Sequence, residues 1–206
     1  MKTLSFLVLI PFFSVVVLAQ TKNDIKSNDH RISVMFGLSQ PLLLHGGNIA
    51  VTYTTRKLYF EYSHGFSLDM EKGGIGMTSE EKKHFSTIHL PFSTGFGAGY
   101  RLTENTNLFW EFKLHSFEQT EVANGNVLSY KTFEMGPAIS HRFFIDRNKR
   151  FFAEPVARYW FTTAVLDNPN FDHHKILLYD NTGKAYWYKA HEFGLFANVS
   201  IGMVIK

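Results

Sequence analysis

The chain is 206 residues long, 16% aromatic with 21 Phe, and only 19% charged, a balance that fits one domain or one closed sheet and excludes a disordered chain. It contains no cysteine, which rules out a disulfide framework, a thiolate metal site and a cysteine nucleophile. The formal net charge is +3, and no basic cluster is longer than Asp146-Arg147-Asn148-Lys149-Arg150, so the basic stripe that nucleic-acid binding needs is missing.

The N-terminus reads as a secretory signal peptide. Lys2 precedes an apolar run from Leu4 to Leu18, broken only by Ser5, Pro11 and Ser14, and Val17-Leu18-Ala19 sets up cleavage after Ala19. No cysteine follows that point, so a lipoprotein is not expected. The spacing then assigns 20–30 to a short periplasmic segment and 31–206 to the folded domain. Beyond residue 20 no apolar run reaches about 18 residues, which excludes a helical membrane protein.

Period-two alternation dominates the rest of the chain. Strand one carries Ile32, Val34, Phe36 and Leu38 against Ser33, Met35 and Gly37. Ile49, Val51 and Tyr53, then Leu58, Phe60 and Tyr62, mark strands two and three. Phe92, Phe96, Ala98, Tyr100 and Leu102 alternate with Ser93, Gly95, Gly97, Gly99 and Arg101, and Leu108, Trp110, Phe112 and Leu114 alternate with Glu111, Lys113 and His115. Strand six runs through Phe133 to Arg142, strand seven from Phe151 to Phe161, and strand eight from Glu192 to Ile205. Pro137 and Pro155 each remove a ladder donor, so local irregularities are expected there.

Connections alternate in length. Short ones fall at 55–57, 103–106 and 146–149, and longer ones at 39–47, 67–90, 119–129 and 164–189. Short turns at one end and long loops at the other characterise outer-membrane barrels. The predicted fold is all-β: an eight-stranded antiparallel up-and-down transmembrane β-barrel with short periplasmic turns and long extracellular loops, or ten strands if the loops hold hairpins. The apolar stripe then faces lipid. The other stripe brings Glu61, Glu111, Glu134, Glu154 and Glu192 into the lumen with Arg101, Lys113, Arg142 and Arg158. Buried unpaired charges are costly, so these groups are expected to pair and plug the lumen.

On this pattern the chain resembles, over 30–206, the small eight-stranded outer-membrane barrels, the class of the OmpA and OmpX transmembrane domains. The likeness is one of topology rather than of a motif. Many such proteins end on an aromatic residue, whereas this chain ends Gly202-Met203-Val204-Ile205-Lys206. The resemblance implies a monomer in the bacterial outer membrane, in contact with outer-membrane lipid and lipopolysaccharide, with loops 67–90 and 164–189 as candidate surfaces for an extracellular ligand. No cofactor and no catalytic or metal residue is assigned.

Three weaker signals compete with that reading. His84-Phe85-Ser86 has the spacing of a base and nucleophile on one strand face, as a lipid A-modifying hydrolase would need. Asp172-His173-His174, with His84 or His89, could hold a metal but fixes no ligand spacing. Gly73-Gly74-Ile75-Gly76 lacks the helix and Lys-Ser/Thr of a phosphate loop and reads as a flexible turn. Glu80-Glu81-Lys82-Lys83 reads as a solvated loop face. The aromatic groups Tyr159-Trp160-Phe161 and Tyr186-Trp187-Tyr188, near the long loops, and Tyr59-Phe60, Phe143-Phe144 and Phe151-Phe152, near the short turns, are predicted to form two interfacial girdles. A small solute pore and a secreted lipocalin-like carrier with its apolar stripe turned inward are the remaining functional alternatives.

Overall fold

A computed structural model describes residues 30–71, 75–166, 175–179, 182 and 184–206. The expected signal peptide, the segment up to residue 29, Gly73-Gly74 and Asp172-His173-His174 lie outside the described residues.

Most of the alternating stretches form strands longer than the sequence pattern marks out, while the first strand keeps the expected length and the last is shorter. They are β1 (Arg31–Gly37), β2 (Gly47–Thr54), β3 (Leu58–Glu71), β4 (Phe85–Arg101), β5 (Thr106–Glu121), β6 (Val127–His141), the two-residue β7 (Phe143–Phe144), β8 (Phe151–Leu166), β9 (Lys175–Tyr179), β10 (Ala185–Lys189) and β11 (Gly194–Val204). Two short helices, α1 (Ser39–Leu43) and α2 (Glu81–His84), interrupt the connections β1–β2 and β3–β4. Each strand of β1–β6, then β8 and β11, pairs antiparallel with the next, and β11 returns to pair with β1, so eight strands close into a ring. The β9–β10 hairpin is a separate two-stranded sheet and does not widen the ring. β7 pairs with Ala153 and Phe152 of β8 and continues the edge of β6 after a break at Arg142.

One circuit of the ring shows how the two faces separate. Met203, Val34, Val51, Tyr62, Phe96, Phe112, Met135 and Phe161 are cross-strand partners in succession, and every one is apolar or aromatic. All eight side chains point outward and none is buried. One residue along, the row Val204, Ser33, Thr52, Glu61, Gly97, Glu111 and Gly136 points inward, and six of its seven members are small or polar. The circuit from Met203 comes back to β11 beside Gly194, a stagger of about ten residues, which suits strands tilted by roughly 40°. Glycine makes room where the interior is tightest. A Cβ on Gly97 would stand 2.8 Å from the Phe109 ring, and one on Gly202 would stand 2.5 Å from the Phe152 ring.

The ladder runs in register past Pro155, which pairs with Val199, and no register shift falls at Pro137. Each proline gives up a bond without displacing its neighbours. The irregularities fall elsewhere: between His89 and Ser93, around Pro91, and at Thr163, which is squeezed out between the pairs Phe133–Ala164 and Glu134–Thr162. Ser67 adds a third, with a φ of 52°. A further register shift falls between Phe85 and Thr87 at the start of β4, while the first three irregularities lie at one level of the ring. There the inward position shifts by one residue on β3, β4 and β8, so Leu68, Met70, Ile88, Leu90 and Val165 turn inside.

This shift changes the expected loops. Both ends of 67–90 are strand, because β3 and β4 stay paired up to Glu71 and Thr87. The connection expected at 119–129 shrinks to 122–126, and 164–189 contains the end of β8 and the β9–β10 hairpin. The girdle prediction is corrected by alternation itself. Tyr59, Phe152 and Trp160 point inside, while Phe60, Phe151, Tyr159 and Phe161 point out, and Tyr188 of the hairpin is buried.

Candidate functional site

The interior has two layers. In the middle layer a chain of charged groups crosses the ring. Arg158 donates through Nε to Glu111 at 2.8 Å and through Nη2 to Glu61 at 3.1 Å. The Trp160 indole adds a bond to the same Glu111 oxygen at 3.0 Å. Tyr59 donates to Glu61 at 2.6 Å and lies 3.5 Å from Glu154. Glu154 in turn accepts from Arg142 Nε at 2.7 Å. Arg142 spends its remaining donors on Ser33 and Thr52, and its guanidinium lies 3.8 Å above the Phe152 ring. The Lys113 ammonium meets the Ser63 hydroxyl and lies 5.7 Å from the Trp160 ring centre. Three carboxylates and three cations therefore share one buried layer, linked through hydroxyls from opposite sides of the ring.

The registers explain why these groups meet. Glu61 and Glu111 flank Gly97 in a single row, so both carboxylates stand at one level of the ring, where Arg158 reaches both. Arg142 keeps the inward parity of Ser140 although the strand is interrupted after His141.

Seven of the nine sequence-predicted lumen groups are buried: Glu61, Glu111, Lys113, Glu134, Arg142, Glu154 and Arg158. Glu134 stands apart from the main chain of pairs, accepting from Thr132 and Thr162, with His115 3.6 Å away. Arg101 and Glu192 do not join the network. Arg101 is the last residue of β4, and its guanidinium caps the carbonyls of Thr55 and Glu104 in two adjacent turns. Glu192 precedes the strand, because Gly194 at φ 58° opens β11, and it pairs with Lys189 of the hairpin.

Above the bulge level the interior becomes apolar. Leu68, Met70, Phe85, Ile88, Leu90, Phe117, Tyr130 and Val165 from the wall pack with Leu44, Met77, Ile176, Tyr188 and Ala190 from the connections. The β9–β10 hairpin thus seals the long-loop end through Ile176 and Tyr188. A latch holds this crown. Glu81 accepts from the Thr78 N–H at 2.6 Å while its own N–H reaches the Thr78 hydroxyl at 3.2 Å, a reciprocal cap on α2. Its other oxygen lies 2.6 Å from His191 Nδ1, and the His191 N–H donates to the Tyr130 hydroxyl at 3.1 Å. Glu81 is thus buried, not a solvated loop residue as the sequence suggests. Burial alone would raise its pKa, but the bonds from His191 and Thr78 outweigh that and hold it below the usual carboxylate range.

Between the layers lies a cavity of about 30 Å³, lined by Gln40, Asn48, Lys113, His115, Arg158 and Trp160 among others, which is room for about two waters.

No hydrolase constellation forms among the described residues. Ser86 donates to the Thr120 carbonyl at 3.3 Å rather than to a histidine, and His84 ends a helix instead of sharing a strand face with it. His84 lies 3.4 Å from Glu80 and 3.5 Å from the Tyr186 hydroxyl. The closest carboxylate–histidine pair on the outer wall is Asp69–His89, cross-strand neighbours 2.6 Å apart. No group of three metal-ligating side chains assembles among the described residues.

Known proteins offer no shortcut. The chain matches no protein-family model and no curated protein.

Two outcomes follow from this geometry. Arg158→Met would leave Glu61 and Glu111 buried without their cation and should cost about 3–5 kcal/mol, read as a lower urea midpoint of the refolded protein. A carboxyl whose folded pKa is depressed stabilises the fold above its unfolded pKa, about 4.3, and stops doing so as pH falls through the lower folded value. Amide exchange in β9–β10 should therefore accelerate below about pH 4, and His191→Ala should produce that faster exchange already at pH 7.

Proposed function

We propose that this chain is an outer-membrane β-barrel protein: a plugged, eight-stranded wall whose outer face contacts lipid and whose long-loop end serves a structural or surface-binding role. The observation that carries the proposal is the circuit from Met203 to Phe161. An apolar row runs outward round the whole ring, while ion pairs and hydroxyls lie inside. A water-soluble closed sheet has the opposite arrangement.

The dimensions support the same assignment. From Leu195 on β11 to Ile205 just past its end, the outward residues are apolar. At about 3.3 Å per residue and a tilt near 40°, that is a band roughly 25 Å tall, the height of the lipid-facing band in outer-membrane barrels. Closure supports it too, because hydrocarbon tolerates no unpaired strand edge. Polar atoms inside the band are paired locally, as where Thr94 donates to the Tyr62 hydroxyl at 3.1 Å. With the short turns on the periplasmic side, the crown and hairpin face outward, and outer-membrane lipid and lipopolysaccharide become the natural neighbours of a monomer.

The alternatives have less support. A lipocalin-like carrier needs the apolar stripe inside. A solute pore needs an open lumen, and the ion network and crown fill it. A lipid A-modifying enzyme needs an activated nucleophile, and the Ser86 hydroxyl is bonded to backbone.

Electrophoresis in SDS tests the proposal. From a purified outer-membrane fraction, the unboiled protein should run at a different position from the boiled one, since a closed sheet resists SDS until heated. Recovery in the soluble fraction with no heat shift would overturn it. The same preparation in planar bilayers should show no stable large conductance.

A further inference from the structure

The short-turn end of the ring carries an excess of cations just below the apolar band. Among the described residues, Arg31, Arg56, Lys57, Arg101, Arg147, Lys149, Arg150 and Lys206 lie there, with Glu104 and Asp146 as the side-chain carboxylates. Both acids are already committed. Glu104 holds Arg31 at 3.4 Å and Lys149 at 3.2 Å. Asp146 accepts the N–H groups of Arg150 and Phe151 at 2.8 and 2.7 Å, which fixes the turn between β7 and β8. Arg147, Arg150 and Lys206 are exposed, and none of them forms a salt bridge with a described carboxylate.

These cations are not scattered round the rim. An open groove of about 810 Å³ lies between the β7–β8 turn and the C-terminal strand. Arg147, Arg150 and Lys206 line it together with Phe151, Met203 and Ile205. Phe151, Met203 and Ile205 are outward members of the apolar band, 52%, 41% and 55% exposed. Charge therefore sits at the rim and apolar surface runs directly from it along the wall. The turn that presents the arginines is rigid, with Lys149 at φ 53° and Asp146 gathering its N–H groups.

We propose that this groove is a binding site for an anionic phospholipid of the leaflet at the short-turn end. The phosphate is held by Arg147, Arg150 and Lys206, and the start of an acyl chain lies on Phe151, Met203 and Ile205. The assignment rests on the lipid-facing reading of the apolar band. Guanidinium groups match phosphate oxygens in planar, two-pronged geometry, and a basic cluster beside a membrane attracts acidic headgroups within a Debye length. An acidic protein would pair with the cations but would gain nothing from a strip of apolar wall that continues into the band. The site also orients the protein, since it favours the leaflet whose acidic headgroups reach the short turns.

Spin-labelled lipids test this with the full-length protein reconstituted in phosphatidylcholine vesicles. Labelled phosphatidylglycerol should be immobilised at the protein surface about threefold to tenfold more readily than labelled phosphatidylcholine, and 0.5 M salt should reduce that preference severalfold. R147Q/R150Q/K206Q should bring it close to one, while R147K/R150K should keep most of it. Immobilised lipid with no headgroup preference, or a preference that neither salt nor the glutamine variant changes, would overturn the phospholipid site and leave the membrane assignment standing. No immobilised lipid of either kind would overturn the membrane assignment and the site with it. Should the glutamine variant fail to fold, the salt dependence of the unaltered protein decides.

Discussion

The pairing of β11 with both β1 and β8 is the constraint on which the rest of the structure depends. Once the sheet closes, no edge is left to satisfy, and each residue on the wall has only two directions available. Alternation becomes an all-or-none matter. A slip of one residue would send Tyr62, Phe96 and Phe112 into the lumen and Glu61, Gly97 and Glu111 to the outside. The sequence enforces the register because neither set tolerates the other environment.

Closure also sets the space inside. Eight strands leave an interior that side chains alone can fill. Arg158 bridges two glutamates held in one row, and Tyr59 and Arg142 extend that bridge to Glu154. The network contributes as much to specificity as to stability. Each carboxylate has its partner only if β3, β5 and β8 stand in this register. Above it, the bulges at Ser67, Pro91 and Thr163 switch the inward positions and turn a polar lumen into an apolar crown. The hairpin can then seal the end with Ile176 and Tyr188 instead of leaving a wet mouth.

Much of this arrangement was legible in the residues. Strict alternation placed the outward row and located Glu61, Glu111, Lys113, Glu134, Arg142, Glu154 and Arg158 inside. Alternation also misled in places. Leu68 and Met70 were expected in the loop 67–90 but lie on β3 and point inside, because Ser67 takes a left-handed conformation that no pattern of hydrophobicity encodes. Pro91 was the visible signal of the second bulge, while Pro137 and Pro155 looked like better candidates and cause no shift. Arg101 and Glu192 failed because they sit at strand ends, where turn carbonyls and a glycine with positive φ overrule parity. Glu81 was hidden for a different reason: its partner His191 is 110 residues away, beyond the reach of local spacing.

The chain's tryptophans allow the central claim to be tested at single residues. Trp110 points outward within the apolar band, and Trp160 points inward against the charged layer. In vesicles made with lipids brominated along the acyl chain, a variant retaining only Trp110 should lose most of its emission. A variant retaining only Trp160 should keep nearly all of it. Strong quenching of Trp160, or quenching of Trp110 by aqueous iodide but not by bromine, would mean that the apolar face does not lie in lipid.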